Sequence, residues 1–419
     1  MSAPTETAGV RSDAGVQDVL NHLDSQGEAI AARTEAWARI NSGSYELAGL
    51  ARMRPLLSDA FSVLPGEVSE VALAPSQRVR PDGEITELEH GAAIRVRVRP
   101  EADIQVALTG HYDTVFPAAH PFQNVWRENG ALRGPGTADM KGGLSLMLAA
   151  LQAFEATPGA KSIGYEVLMS PDEEVGSPAS APLLAALGAR AHIGMTYEPA
   201  MADGSVVSAR KGSGNFSLAF HGRAAHVGRA FGDGRNAVMA AAETAIVLSA
   251  LNGQREGVTL NVGSIDGGSA VNVVPERAVL RFNIRAPDAE SAAWIESEVR
   301  RIAADTTKRD GVSARLHGGI TRPPKPLNAK QERLLAWVRE AGRAIGVEID
   351  AKPSGGVCEG NNLAAAGCPN IDTLGPCGGG LHSDQEFALL ASFAERAKLS
   401  FLMLHAINSG AFDVRSLRA

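Results

Sequence analysis

Cysteine is scarce, with three residues in 419. An odd number in so long a chain builds no disulfide framework. A reducing compartment is the simpler reading, so the chain is expected to be cytoplasmic. Positive charge is also in deficit. The formal net charge is −7, whereas a nucleic-acid partner usually needs a basic face. No apolar run reaches the roughly 20 residues that cross a bilayer. The first residues, Met1-Ser-Ala-Pro-Thr-Glu, have neither the basic nor the apolar segment of a secretory signal. Nucleic acid and membrane are thereby set aside as partners, and residues 1–12 are expected to be disordered. What remains is ordinary for a globular chain, 44% hydrophobic and 21% charged, and the length admits two domains.

The informative stretch is 104–143. An apolar segment, Ile104–Leu108, runs straight into His111 and Asp113. On an extended segment, side chains two apart point to one side. One ring nitrogen of His111 is then free for a metal while Asp113 holds the other. The second half, Arg133-Gly-Pro-Gly-Thr-Ala-Asp-Met-Lys-Gly-Gly, places Asp139 on a glycine-rich turn before an apolar helix. This is half of a metal site. The other half is sought downstream, in Glu174 of Pro171-Asp-Glu-Glu-Val-Gly, Glu198 of Tyr197-Glu-Pro, and His382 of Cys377-Gly-Gly-Gly-Leu-His-Ser-Asp.

Helical spacing covers 14–36 and 45–63, and strands are expected near 67–73, 92–98 and 104–109. Helices at 140–154 and 179–187 alternate with strands at 163–169 and 193–197, the mark of an α/β layer architecture. From about 207 to 319 the order changes to strand 215–221, helix 236–251, strands 258–265 and 278–284, helix 288–305 and strand 312–316. That βαββαβ order is the ferredoxin-like arrangement. Consecutive prolines at Arg322-Pro-Pro-Lys-Pro mark the return to the first unit. Helices at 328–345 and 361–366, a strand at 369–374 and a long helix at 387–407 complete it. The expected division is 1–206 and 320–419 for one domain and 207–319 for the inserted one.

Two imidazoles and three carboxylates exceed what one zinc requires. A carboxylate shared between two metals fits the count. Zinc suits the donors, with manganese or cobalt as substitutes. The adjacent Glu173 and Glu174 allow one carboxylate to ligate while its neighbour takes a proton from water. Each residue alone reads as a surface or capping group. In this order, with Glu174 and Glu198 just past strands, they read as one site, since ligands in open α/β sheets gather beyond the carboxyl ends of strands.

These motifs, namely His-x-Asp-x-Val, Gly-x-Gly-x-x-Asp-x-Lys-Gly-Gly, Asp-Glu-Glu-x-Gly, Glu-Pro and Gly-Gly-Gly-x-His-Ser, resemble the dinuclear-zinc metallopeptidases. That family includes carboxypeptidase G, acetylornithine deacetylase, succinyl-diaminopimelate desuccinylase and aminoacylase. The resemblance runs from about residue 40 to the C-terminus. It implies a zinc-peptidase catalytic domain, with a central mixed sheet flanked by helices, interrupted by a ferredoxin-like lid that also dimerises. It implies one zinc on His111, Glu198 and shared Asp139, and another on Glu174, His382 and the same Asp139. Glu173 would be the general base and Asp113 the partner of His111. A cis peptide is implied at Asp139–Met140. His226, in Gly222-Arg-Ala-Ala-His-Val-Gly, matches a lid histidine that reaches the partner subunit's site. Asn272 and Arg285 match positions that hold a substrate carboxylate, for which the planar guanidinium fork is suited. The implied reaction is hydrolysis of the amide of an N-acyl amino acid or small peptide with a free carboxylate. Dipeptidase or aminopeptidase action, or a non-catalytic binding relative, are the alternatives. One segment departs from the family: Gly355-Gly-Val-Cys-Glu-Gly-Asn-Asn stands where carboxypeptidase G-type members read Gly-Gly-Gly-Thr-Asp. Cys358 there reads as a small buried thiol, and Arg210, Lys211 and Arg322 are candidates for reading a second substrate acid group.

Overall fold

The strand Gln105–His111 is apolar on both faces because it lies inside a sheet covered on both sides. Val106 and Leu108 join one core cluster and Ala107 the other. The computed structural model describes residues 14–418 except 158, 307, 309 and 310. The expectation of a disordered segment at 1–12 lies outside the described residues. The sheet order is Glu67–Val71, Ala93–Val98, Gly164–Ser170, Gln105–His111, Ile193–Thr196, Asn370–Ile371. The first two pairings are antiparallel and the last three parallel, so the sheet is mixed. Helices Lys141–Glu155 and Ser392–Asn408 bury their apolar residues on the Val106 face. Ala181–Arg190 and Glu359–Ala365 contribute Leu184, Leu187 and Leu363 on the other.

A second sheet of four strands runs Thr259–Gly267, Arg277–Ala286, Gly212–His221, Ser313–Arg322, antiparallel throughout. Helices Ala237–Ser249 and Ala289–Thr306 cover one of its faces, packing on Phe216, Leu218, Leu280 and Phe282. Just before it, Val206–Arg210 pairs with Ala351–Ser354. The outward and return chain crossings meet at Arg210 and Lys325, which exchange backbone hydrogen bonds.

Several elements differ from the sequence reading. The first helix is two helices, Ala14–Ser25 and Gly27–Ala38. At the break the Ser25 hydroxyl donates to the His22 carbonyl (2.6 Å), and Gly27 adds the backbone entropy cost of glycine. The final helix begins at Ser392, because Phe387–Leu389 is taken as a strand between Cys377–Gly379 and Ala131–Arg133. An apolar run that short carries no period of its own, so its distant partners decide its form. The hairpin Ser76–Val79 and Ile85–Leu88 was not anticipated, although Pro81-Asp82-Gly83 at its tip has turn chemistry.

Candidate metal centre

The central strand ends at His111, fully buried, with its imidazole held from both sides. Nδ1 lies 3.3 Å from Asp113 Oδ1 and 3.1 Å from the Asp113 carbonyl oxygen. Nε2 lies 3.0 Å from Asp139 Oδ1. Asp113 is itself fixed: Oδ2 accepts from the Ser44 hydroxyl (2.7 Å), and its two oxygens accept from the backbone N–H of Glu173 and Glu174 (3.2 Å each). One carboxylate thus sets the orientation of His111 and anchors the loop that carries both glutamates.

Asp139 precedes helix Lys141–Glu155, and the Asp139–Met140 peptide is cis. The paired glycines that follow are there for closeness. A Cβ on Gly143 would lie 2.0 Å from the Tyr197 carbonyl oxygen, and one on Gly142 would lie 2.3 Å from that of Thr137. The helix start therefore abuts the strand end that carries Glu198. The other Asp139 oxygen, Oδ2, faces His382 Nε2 at 3.5 Å, and that nitrogen is 3.1 Å from Glu174 Oε2. His382 takes φ +60°, a conformation side-chain residues rarely adopt, in the turn after Cys377–Gly379. Its side chain is 57% exposed while His111 is fully buried, so the cluster opens on the His382 side. Glu198 Oε1 stands 3.8 Å and Glu173 Oε2 3.9 Å from His111 Nε2.

Among the described residues, His111, Glu173 and Glu198 offer ligand atoms within 4.8 Å of one another, as do His111, Asp139 and Glu174. Such crowding needs positive charge. Burial lifts the Glu174 carboxyl to about 8, helped by Asp139, and lifts Glu198 well above the ordinary range. Hydrogen bonds to Asp139 and Glu174 lift His382 to about 11. Burial opposes protonation of His111, but its bonds to Asp113 and Asp139 outweigh it and raise the pKa well above normal. Glu198 Oε1 is buried with no hydrogen-bond partner among the described residues. An orphaned buried carboxylate oxygen beside three other acids is costly unless a cation sits there. The residues therefore fit a metal, and this buried cluster is able to hold one.

The cavity over the cluster encloses about 430 Å³. Glu173, Glu174 and His382 line one side, and Ser213, Asn283 and Arg285 of the four-stranded sheet the other. Arg285 thus meets the cluster residues, whereas His226 and Asn272 are not among the lining residues. These two lie beside each other on the surface, where the Val227 N–H donates to the Asn272 carbonyl oxygen at 3.1 Å.

Three sets of contacts were not legible beforehand, and two of them commit Arg322 and Arg210, expected to read a second substrate acid group, to acids of the chain itself. Arg322 is buried against Glu173, with Nη1 2.7 Å from Oε1, and Nη2 donates to the Glu173 carbonyl oxygen (2.8 Å) and Ser177 Oγ (2.9 Å). Glu386, also buried, accepts from the backbone N–H of Gly136, Ala138 and Asp139 at 3.0–3.2 Å. Its only sequence cue is an acid placed just before an apolar run. Asp372 joins Arg210 Nε (2.8 Å) and Lys325 Nζ (2.7 Å). Lys211 points away, donating to the Gly257 carbonyl. Cys358 is buried and caps helix Glu359–Ala365 through the Gly360 N–H (3.3 Å). All three cysteines are free.

The family model for peptidase family M20/M25/M40 matches residues 107–406. The chain belongs to this family. Carboxypeptidase G2 of Pseudomonas sp. (strain RS-16) is 25% identical over 324 residues, covering 75% of this chain and 76% of that protein. Succinyl-diaminopimelate desuccinylase of Maricaulis maris is 33% identical over 240 residues, covering 50% and 58%. The solved structure of an M20 family metallo-carboxypeptidase from Sulfolobus solfataricus superposes with a TM-score of 0.67 at 14% identity, covering 95% and 100%. That of a Bacillus subtilis dinuclear metal-binding M20 peptidase gives 0.58 at 15%, covering 93% and 99%. This M20 chain is a metallohydrolase of the peptidase and deacylase kind. No helix among its described residues is long and apolar enough to cross a membrane.

Proposed function

We propose that this M20 enzyme hydrolyses the amide bond of an N-acyl amino acid or small peptide bearing a free carboxylate, at a centre of two zinc ions. The observation that carries this reading is Asp139, whose two oxygens face two different histidines, Oδ1 toward His111 (3.0 Å) and Oδ2 toward His382 (3.5 Å). A carboxylate so placed suits a bridge. His111 and Glu198 would complete one metal site, Glu174 and His382 the other. Two divalent cations there supply Lewis-acid polarisation and lower the pKa of a water toward about 7.

The chain's own groups do the rest. Glu173 takes the proton of the attacking water and delivers it to the leaving amine as the C–N bond breaks, giving an acid and an amine. Arg322 holds Glu173 Oε1, which leaves Oε2 turned toward the cluster. Asp113 keeps His111 oriented. Arg285, which lines the metal cavity, holds the substrate carboxylate, and Asn272, beside His226 on the surface, is offered to the site of a second copy. His226 of the partner subunit stabilises the developing oxyanion, which makes the enzyme a homodimer through 207–319. Support for a second copy comes from Met239, Ile246 and Val247, exposed on one helix, and from Thr259–Gly267, which among the described residues is paired on one edge only. Two surface residues beside each other, His226 and Asn272, would otherwise lack a site to serve.

The test is hydrolysis of a panel of N-acyl amino acids and dipeptides by zinc- or manganese-loaded protein, with Glu173→Gln in parallel. Turnover of acylated substrates should fall by about 10²–10⁴-fold in the variant while bound metal stays unchanged. Turnover of dipeptides with free amines alone would overturn the acyl assignment. Equal turnover by Glu173→Gln would remove Glu173 from its role.

A further inference from the structure

The face of the four-stranded sheet opposite its helices is polar. Along Gly212–His221 it presents Ser213, Asn215 and Ser217, and along Arg277–Ala286 it presents Arg285, Asn283 and Arg281. These are directly paired in that order in the antiparallel register. The first two rows line the metal cavity. The last two line a second cavity of about 510 Å³. The two share the Asn215–Asn283 row and Val175, the residue next to Glu174. The row is joined by hydrogen bonds: Asn283 Nδ2 donates to Asn215 Oδ1 (2.7 Å), and Arg285 Nε donates to Asn283 Oδ1 (3.0 Å). At roughly 3.4 Å per residue, Arg285 and Arg281 stand about 14 Å apart along the strand. The metal cavity is therefore one end of a longer trough.

The far end has its own chemistry. Its outer wall is the hairpin, with Ser76, Gln77 and Arg78. Among the described residues, none that lines it is acidic. Arg281 is committed, donating to the Val79 carbonyl oxygen (2.9 Å) and pairing with Asp266. Arg78 forms no ion pair among the described residues, and its guanidinium lies 6.0 Å from the Tyr45 ring centroid. Gln77, Asn261 and Ser264 add uncharged donors. The open charge at this end is a cation with neutral donors around it, which suits an anionic or acceptor-rich group.

We infer that the second cavity is an acyl subsite, in which Arg78 selects acyl chains long enough to pass Val175 and ending in a carboxylate. This rests on the proposed hydrolysis, with the amino-acid carboxylate at Arg285 and the scissile bond at the metal cluster. Short acyl groups such as acetyl fill only the metal cavity.

The experiment compares three acyl groups on one amino acid: acetyl, octanoyl and 7-carboxyheptanoyl. The last two have the same eight-carbon chain and differ in the terminal carboxylate. For wild type, kcat/KM on the 7-carboxyheptanoyl substrate should exceed that on either of the others by about tenfold or more, mainly through KM. In Arg78→Ala the ratio of 7-carboxyheptanoyl to octanoyl should fall to about one, and Arg78→Lys should restore part of it. A wild-type preference for acetyl, or a ratio unaltered in Arg78→Ala, overturns the subsite. Absence of turnover on all three defeats the N-acyl amino acid reading of the proposed hydrolysis instead. The subsite is then judged by calorimetric binding of the 7-carboxyheptanoyl compound to zinc-loaded protein. Arg78-dependent affinity upholds it, and affinity equal in both proteins, or none, overturns it.

Discussion

Replacing Asp372 by asparagine should destabilise the protein without touching the metal cluster. Asp372 is fully buried and ties together the two chain crossings between the sheets. Arg210 binds it through Nε (2.8 Å) and Nη2 (3.1 Å), and Lys325 through Nζ (2.7 Å). Burial by itself would raise the Asp372 pKa, but the two cations outweigh it and hold the carboxyl at about 2, against 3.8 normally. At 1.36 kcal/mol per pKa unit, a depression of that size corresponds to roughly 2–3 kcal/mol. Breaking a buried pair leaves uncompensated charge and typically costs about 3–5 kcal/mol. Asp372→Asn should thus lose about 2–5 kcal/mol in urea unfolding of the metal-free protein at pH 7. The pH dependence has a definite sign. Because the folded pKa is depressed, the contribution is fully present above about pH 4 and is lost as pH falls through about 2. The difference between wild type and Asp372→Asn should stay constant from pH 8 to pH 5 and shrink only in strong acid. A variant within about 0.5 kcal/mol of wild type would refute the clamp, as would a difference that shrinks on raising the pH.

Metal uptake should release protons. Glu174 at about 8 and His382 at about 11 hold protons at pH 7 in the metal-free cluster, and metal ligands must shed them. Affinity should therefore drop more than tenfold per unit as pH falls from 8 to 6, measured by competition with a chromophoric chelator; a flat profile would contradict the charge balance described above. Glu386→Ala leaves the N–H groups of Gly136, Ala138 and Asp139 without their acceptor. Metal affinity should weaken by about 10–100-fold, and an unchanged affinity would show that the turn holds Asp139 without it.

The sequence carried the local signals strongly. The run Ile104–Leu108 is apolar without alternation, which is how a strand covered on both faces reads, and the structure has the strand Gln105–His111 there. The α/β layering follows from the alternation of such runs with helical spacing, whereas the mixed sheet flanked by helices was what the family resemblance implied. The types of candidate ligand, two imidazoles and several carboxylates beside glycine-rich turns, are visible because metal donors come from a short list of side chains. The break at Gln26 and the strand Phe387–Leu389 were not visible. The first is a competition among local groups too closely matched to read, and the second is settled by distant strands that a window of sequence does not contain.

The tertiary structure alone decided the contacts that set charge and orientation. Arg322 meets Glu173 across 149 positions, Arg210 meets Asp372 across 162, and Glu386 reaches Asp139 across 247. None of these pairs follows a helical or strand period, because a buried charge is matched by whichever element folds against it. Side-chain periodicity tells which face of an element is buried. It does not tell which distant element covers that face, and so it left open that the polar face of the second sheet closes over the metal cluster.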